Sequence, residues 1–209
     1  RDPYLSRGLG DVYKRQRGIG MLSFSYDDKA KDNQTWLYLS ALGKVKRIAG
    51  GNEETSEPAS LFGSEFTTED TDTGKLSEYT FRILSETKIN DRLVWQIESI
   101  PNKSRKARTR YARTVSYVDK TRYVILRSEM YDKYDNEIKR MIGSRVERVN
   151  DVWLTRSMTM MNLVTNRLSN MAFLSIDNGI IVPEYFFTKR SLEDTAFREA
   201  HLKDIRDQI

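Results

Sequence analysis

Cysteine is absent from the 209 residues, which excludes disulfides, thiolate metal sites and thiol catalysis. Histidine occurs once, at His201. It lies in a helical pattern with no obvious Ser or Asp partner, and imidazole catalysis needs an oriented acid and a nucleophile, so His201 reads as a surface or packing residue. No apolar run approaches the length of a membrane-crossing helix. There is no βαβ spacing and no Gly-rich phosphate loop. What is present is 38% hydrophobic and 31% charged residues with a mean hydropathy of −0.64, the composition of one globular domain with one core.

The first segment, Arg1–Gln16, reads as the translation of a sequencing-library adapter on a metagenomic fragment and is set aside like an expression scar. It holds four basic and two acidic residues, so setting it aside lowers the net charge of +5 by two. The basicity, pI ≈ 9.3, is then modest, and nucleic acid is not expected as a partner. On this reading the natural chain begins upstream of Arg17, with a signal peptide and a leading helix there.

From Gly18 onward the pattern is that of strands. Gly18–Tyr26, Thr35–Leu39 and Lys44–Ala49 are strand-like, with Ser40–Gly43 a turn and Gly50–Ser60 a loop. From Glu78 the alternation is clean. Tyr79, Phe81 and Ile83 share a face, as do Leu93, Trp95 and Ile97. Val115 and Tyr117 form the next strand. Val124, Leu126 and Met130 follow, then Ile138, Ile142 and Val146, then Leu154, Met158 and Met160, and finally Leu168–Ile176. Asn90-Asp91, Tyr131–Asn136, Asn150-Asp151 and Asp177-Asn178-Gly179 are turn signals. Short turns between successive strands predict an antiparallel meander with one apolar and one polar face. The polar face would carry Arg82, Gln96, Glu98, Arg127 and Glu129. Asp194–Ile209 reads as a helix, with Phe197, His201, Leu202 and Ile205 at helical spacing and Asp194 or Thr195 as its cap.

The stretch Gln34–Asp70 resembles the signature of the LolA-like outer-membrane lipoprotein-sorting proteins. Trp36, Leu37, Tyr38, Leu39, Ala41, Leu42, Val45, Arg47 and Ile48 match its first half. Phe62, Gly63, Ser64, Phe66, Glu69 and Asp70 match its second. Ser40, Glu65 and Thr68 replace the usual Pro, Asp and Tyr, and Asn52–Ser60 is an insert. The resemblance covers about residues 17–194. It implies a mostly β fold: a curved antiparallel sheet, a half-open barrel with a lipid-binding cavity, and a short C-terminal helix. The family's leading helix and first strands would precede Arg17. The expected organisation is the adapter at 1–16, the β domain at 17–194 and a helical tail at 195–209.

The resemblance also implies a function, that of a periplasmic carrier without enzymatic activity or cofactor. It would hold the acyl chains of a lipoprotein or other lipid and exchange them with an inner-membrane transporter and an outer-membrane receptor. Candidate cavity residues are Trp36, Tyr38, Tyr79, Phe81, Leu93, Trp95, Ile97, Val115, Tyr117, Met158 and Met160, with Leu37 and Leu39 as the alternative to Trp36 and Tyr38. Methionine is unbranched and polarizable and suits variable apolar shapes. The basic run Lys103, Arg105, Lys106, Arg108, Arg110, Arg113 reads as an exposed docking loop. The acidic group Glu65, Glu69, Asp70 and Asp72 lacks the spacing of a calcium loop and reads as a solvated turn, so no metal is expected. An accessory subunit of a lipid exporter and an outer-membrane β-barrel fragment are the other two readings.

Overall fold

The computed structural model describes residues 19–24, 26, 34–39, 43–48, 60–61, 63–71, 74–176 and 180–206. The expectations for Arg1–Gln16, most of Gly50–Ser60, Phe62, Asp72 and the Asp177–Gly179 turn lie outside these residues. The fold is mostly β, with 53% of the described residues in strands and two antiparallel, open sheets.

The first sheet has three strands in chain order: β1 (Ile19–Phe24), β2 (Gln34–Leu39) and β3 (Lys44–Ile48). The second has seven. They are β4 (Tyr79–Ile89), β5 (Arg92–Pro101), β6 (Arg113–Asp119), β7 (Ile125–Tyr131), β8 (Glu137–Val149), β9 (Val152–Asn162) and β10 (Arg167–Ala172), each beside its sequence neighbour. Four α-helices, α1 (Thr68–Thr71), α2 (Lys103–Lys106), α3 (Lys189–Glu193) and α4 (Thr195–Arg206), and two 3-10 turns, Leu76–Glu78 and Glu184–Phe186, complete the described elements. The first sheet and the C-terminal helices form one compact unit, and the seven-stranded sheet with the segment before it forms another.

In the first unit, α3 packs on all three strands. A Cβ on Gly20 would lie 2.9 Å from Leu192 Cδ2, so the missing side chain is what admits the helix. Trp36 and Tyr38 share this face with Gly20 by register. Trp36 meets Phe24 edge-on at 5.6 Å, and Lys189 Nζ sits 5.1 Å from its ring. Leu37 and Leu39 point to the opposite face. The terminal helix starts where the sequence placed it: the Phe197 N–H donates to the Asp194 carboxylate at 2.9 Å. His201 packs between Tyr185, tilted at 4.6 Å, and Phe197, edge-on at 4.3 Å, which is a packing role.

In the second unit the turns follow from residues that tolerate left-handed backbone. Asn90 and Asp91 both have positive φ, 46° and 61°, as a two-residue hairpin of the primed type requires. Asn150 and Asn166 take φ of 53° and 54° at the β8–β9 and β9–β10 turns. Register shifts at Ile83/Ser85, Tyr117/Val118 and Met130/Tyr131 mark bulges, and a bulge changes which residues share a face.

The two faces of the seven-stranded sheet differ. Because directly opposed residues share a face, one carries Arg82, Glu98, Val115 and Glu129 in line, with Gln96, Tyr117 and Arg127 in the next line. This charged face matches the expected polar face, with one difference: it is not simply solvated. Val94, Val115 and Tyr117 form a buried cluster there, and Glu98 and Glu129 are buried beside it. Arg82 pairs with Glu98 at 2.8 Å and Arg127 with Glu129 at 3.2 Å. Tyr117 and Tyr131 both donate to Glu129, at 3.3 and 3.0 Å. The other face is apolar and carries the candidate site.

Candidate functional site

Register collects Tyr79, Phe81 and Ile83 of β4 with Leu93, Trp95 and Ile97 of β5 on the apolar face. The same face continues through Thr114 and Ser116 of β6, Ser128 and Met130 of β7, and Met141 of β8. It ends with Met158 and Met160 of β9 and Met171 of β10. Five of the seven methionines therefore lie on one surface. Between the aromatic wall of β4–β5 and the methionine wall of β8–β10 runs a strip of small hydroxyl residues: Ser99, Thr114, Ser116 and Ser128. Ser116 and Ser128 bond each other at 3.0 Å. Short side chains between two rows of long ones make a furrow, about two strands or roughly 10 Å wide, covered on its β7 side, where Ser128 is buried.

The methionine wall is covered. Leu61 and Phe66, from the second half of the signature, pack with Tyr111, Met130 and Met160 in one buried cluster, with Met141, Met158 and Met171 against it. The loop that delivers them is tightly built. Leu61 N–H donates to Phe66 O at 2.8 Å, Ser64 Oγ donates to Leu61 O at 2.6 Å, and Gly63 takes φ of 72°, a conformation open to glycine.

Its acidic residues fasten it to the sheet. Glu65 accepts from Asn162 at 2.9 Å and pairs with Arg167 at 3.2 Å, while its N–H donates to Ser169 at 3.0 Å. Asp70 accepts from Lys139 at 2.7 Å, Tyr111 at 2.6 Å and Thr67 N–H at 2.7 Å. Glu69 accepts from the Thr109 hydroxyl and from Arg110 N–H. Burial pushes the Glu69 carboxyl above its ordinary range, against the lowering effect of these donors. Burial and the adjacent Asp70 push the Tyr111 phenol far up, so it stays a donor. The expected solvated acidic turn is thus corrected: Glu65, Glu69 and Asp70 are latch residues, drawn inward because Lys139, Tyr111 and Asn162 offer donors on the sheet. Among the described residues no group of acids and histidine is placed to hold a metal.

The aromatic wall is open. Phe81 is 50% and Ile83 62% exposed, and with Leu76, Arg82 and Ile97 they line a recess of about 250 Å³. Of the expected cavity residues, Tyr79, Phe81, Leu93, Trp95, Ile97, Met158 and Met160 come together on this face. Val115 and Tyr117 do not. They oppose Glu98 and Gln96, which places them on the charged face. Trp36 and Tyr38 belong to the other unit. Sequence reasoning missed the furrow of Ser99, Thr114, Ser116 and Ser128. Its signal was small residues at alternate positions of consecutive strands.

The basic run is not the exposed loop expected. Asn102 caps α2 by accepting from Ser104 N–H at 3.1 Å and Arg105 N–H at 3.2 Å, and Lys103 to Lys106 form one helical turn. Arg105 is 5% exposed. It lies 3.8 Å from Glu78, and Arg108 pairs with the same carboxylate at 2.6 Å. Arg110 faces Glu69 at 3.9 Å. Arg113 pairs with Asp135 at 2.7 Å and stacks 3.6 Å over Tyr131. Only Lys103 and Lys106 remain exposed without an ion pair among the described residues. Four guanidiniums instead hold the connection to its neighbours, as planar, bidentate groups do well.

A family model of the DUF1329 type, described as "Uncharacterized protein", matches residues 13–194. No curated protein matches the chain. Two crystal structures are similar to it. One is a candidate outer membrane lipoprotein-sorting protein domain from Vibrio parahaemolyticus, 28% identical, with a TM-score of 0.73 over 84% of this chain and 72% of that one. The other is a DUF1329 family protein from Desulfovibrio piger, 25% identical, with a TM-score of 0.70 over 85% of this chain and 72% of that one.

Proposed function

The chain belongs to the DUF1329 family, and from that premise we propose that it is a periplasmic lipid carrier holding acyl chains on the apolar face of its seven-stranded sheet. The observation that carries this reading is the exposed aromatic wall with its recess at Leu76, Phe81, Ile83 and Ile97, continued by a strip of small hydroxyl residues toward a buried methionine wall. The likeness to a domain named for lipoprotein sorting supports the cargo class. The mechanism is physical. Each buried methylene contributes about 0.8 kcal/mol, so one acyl chain supplies roughly 10 kcal/mol of gross attraction with no bond made or broken. Release then needs a competitor for the same surface, and the loop carrying Leu61 and Phe66 is such a competitor within the chain. A transporter that loads the carrier and an outer-membrane receptor that unloads it are the partners this reading implies.

The test is binding of a fluorescent fatty-acid probe by wild type and by Ile83→Asp. The position is exposed, so the variant should fold normally by circular dichroism. The new carboxylate would have to be desolvated by a bound chain, so probe affinity should fall at least tenfold. Undiminished probe binding by the folded variant would remove the recess from the site. Absence of probe binding by wild type would remove the carrier reading.

A further inference from the structure

In an antiparallel meander, alternate connections lie at the same end of the sheet. The β5–β6 segment with α2, the β7–β8 turn and the β9–β10 turn therefore share one rim. They are spaced about 10 Å apart, two strands each. Their outermost side chains are unusual for turns. Tyr134 is 73% exposed at the tip of the β7–β8 turn and Val164 71% exposed at the tip of the β9–β10 turn. Neither tip is loose. Asp132 accepts from Tyr134 N–H at 2.8 Å and Asn136 N–H at 2.9 Å. Asn162 accepts from Val164 N–H and Thr165 N–H, both at 3.1 Å. Fixed turns thus hold two apolar side chains out into water.

Lysines flank them. Lys103 and Lys106 on capped α2, and Lys133 beside Tyr134, are exposed and make no ion pair among the described residues. The acids of this rim are already engaged: Asp132 in its own turn, Asp135 with Arg113, Glu137 with Arg140 at 2.5 Å, Glu65 with Arg167. At the opposite end Lys88 and Arg145 are exposed without an ion pair among the described residues, but most of the cations are engaged. Arg92 and Arg122 face buried Asp119, Lys120 pairs with Glu86, and Arg148 with Asp151. Three exposed lysines thus stand beside two fixed apolar tips on one rim, with Lys133 Nζ 5.0 Å from the Tyr134 ring.

We propose that this rim docks on the surface of an anionic lipid bilayer. Separate lysines in a row suit a plane of negative headgroups, each drawn by the surface potential. Tyr134 and Val164 suit the headgroup–acyl boundary, where an aromatic ring with a polar tip is favoured. Nucleic acid would reward the lysines but not the valine. The rim is also where Glu65 anchors the loop that covers the methionine wall, so docking brings that loop to the membrane. This inference is separate from the carrier reading, because vesicle binding is measured with no cargo present.

The experiment is co-sedimentation of the full chain with phosphatidylcholine vesicles, with and without phosphatidylglycerol, at low and high salt. Wild type should bind the anionic vesicles and lose most binding at high salt. Lys103→Ser/Lys106→Ser/Lys133→Ser should weaken that binding about a hundredfold, roughly fivefold per lysine. Tyr134→Ser/Val164→Ser should remove the binding that survives salt. Tyr123→Ser/Arg148→Ser, at the other end, should change nothing. All variants are checked for folding by circular dichroism, and their fatty-acid probe affinity should equal that of wild type. The proposal is overturned if wild type ignores anionic vesicles, which would leave an acidic protein receptor for the lysines. It is equally overturned if the lysine variant binds as well as wild type, or if the opposite-end variant loses as much.

Discussion

Asp70 gathers donors from three parts of the chain: Thr67 beside it, Tyr111 ahead of β6 and Lys139 on β8. Lys139 and Asp70 side chains are 5% and 2% exposed, so each charge depends on the other, and losing one leaves the other buried and uncompensated. Glu69 next to it is less well served. Its Oε2 is buried without a hydrogen-bond partner, and burial holds its carboxyl above the ordinary range. A raised folded-state value means that the protonated form is favoured by folding. Glu69 therefore contributes stability below the ordinary carboxylate range and loses it as pH rises through the raised value. Glu69→Gln removes the titration while keeping an acceptor for Thr109 and Arg110. Thermal midpoints of wild type and variant should lie close together at pH 4, with the variant gaining on wild type toward pH 7. A gap that is constant with pH, or that closes as pH rises, would mean Glu69 is ionised at no cost.

Elements were legible where local chemistry decides them. Asn90-Asp91 announces its hairpin, and Asp194 its helix, because left-handed backbone and an N-cap are single-residue requirements. Alternation within β4 and β5 put Tyr79, Phe81, Leu93, Trp95 and Ile97 on one face, as the structure does. What alternation cannot supply is the match between strands. Val115 and Tyr117 are as apolar as their neighbours, but the register sets them against Glu98 and Gln96, and only pairing across the sheet settles that. The Met130/Tyr131 bulge likewise has no residue-level sign. The latch was hidden for the same reason, since Asp70 and Lys139 are remote in sequence. Gly143 is a further feature of this kind. A glycine inside a strand ordinarily weakens it, and alanine would be expected to help. Here a Cβ would sit 2.7 Å from the Ile125 carbonyl oxygen, a backbone atom of β7 that cannot swing aside. Gly143→Ala should therefore destabilise by about 1–3 kcal/mol, read from urea unfolding. A stabilised variant would show that β7 and β8 can separate at little cost.

At the scale of the whole molecule, the proposed carrier would have to bind lipid and let it go, and on that proposal the two walls of the apolar face would divide the task. The β4–β5 wall is exposed and needs no rearrangement to meet a chain. The methionine wall is occupied by Leu61 and Phe66, both 5% exposed, so lipid reaching it must displace them. On the carrier proposal that exchange would lower net affinity by the apolar area the loop gives up, and the polar contacts of Glu65, Glu69 and Asp70 would favour the loop's return. Phe66→Ala weakens the loop's hold and should cost about 3–5 kcal/mol in stability. A milder change, Glu65→Ala, loses the Asn162 and Arg167 contacts without touching the core. Both variants should bind the fatty-acid probe more tightly than wild type, with Glu65→Ala folded normally by circular dichroism and Phe66→Ala giving the larger gain. If Glu65→Ala binds the probe no better than wild type, the loop is a fixed part of the core and lipid is confined to the furrow and the β4–β5 wall. If it binds more weakly, the loop forms part of the lipid site instead of competing for it.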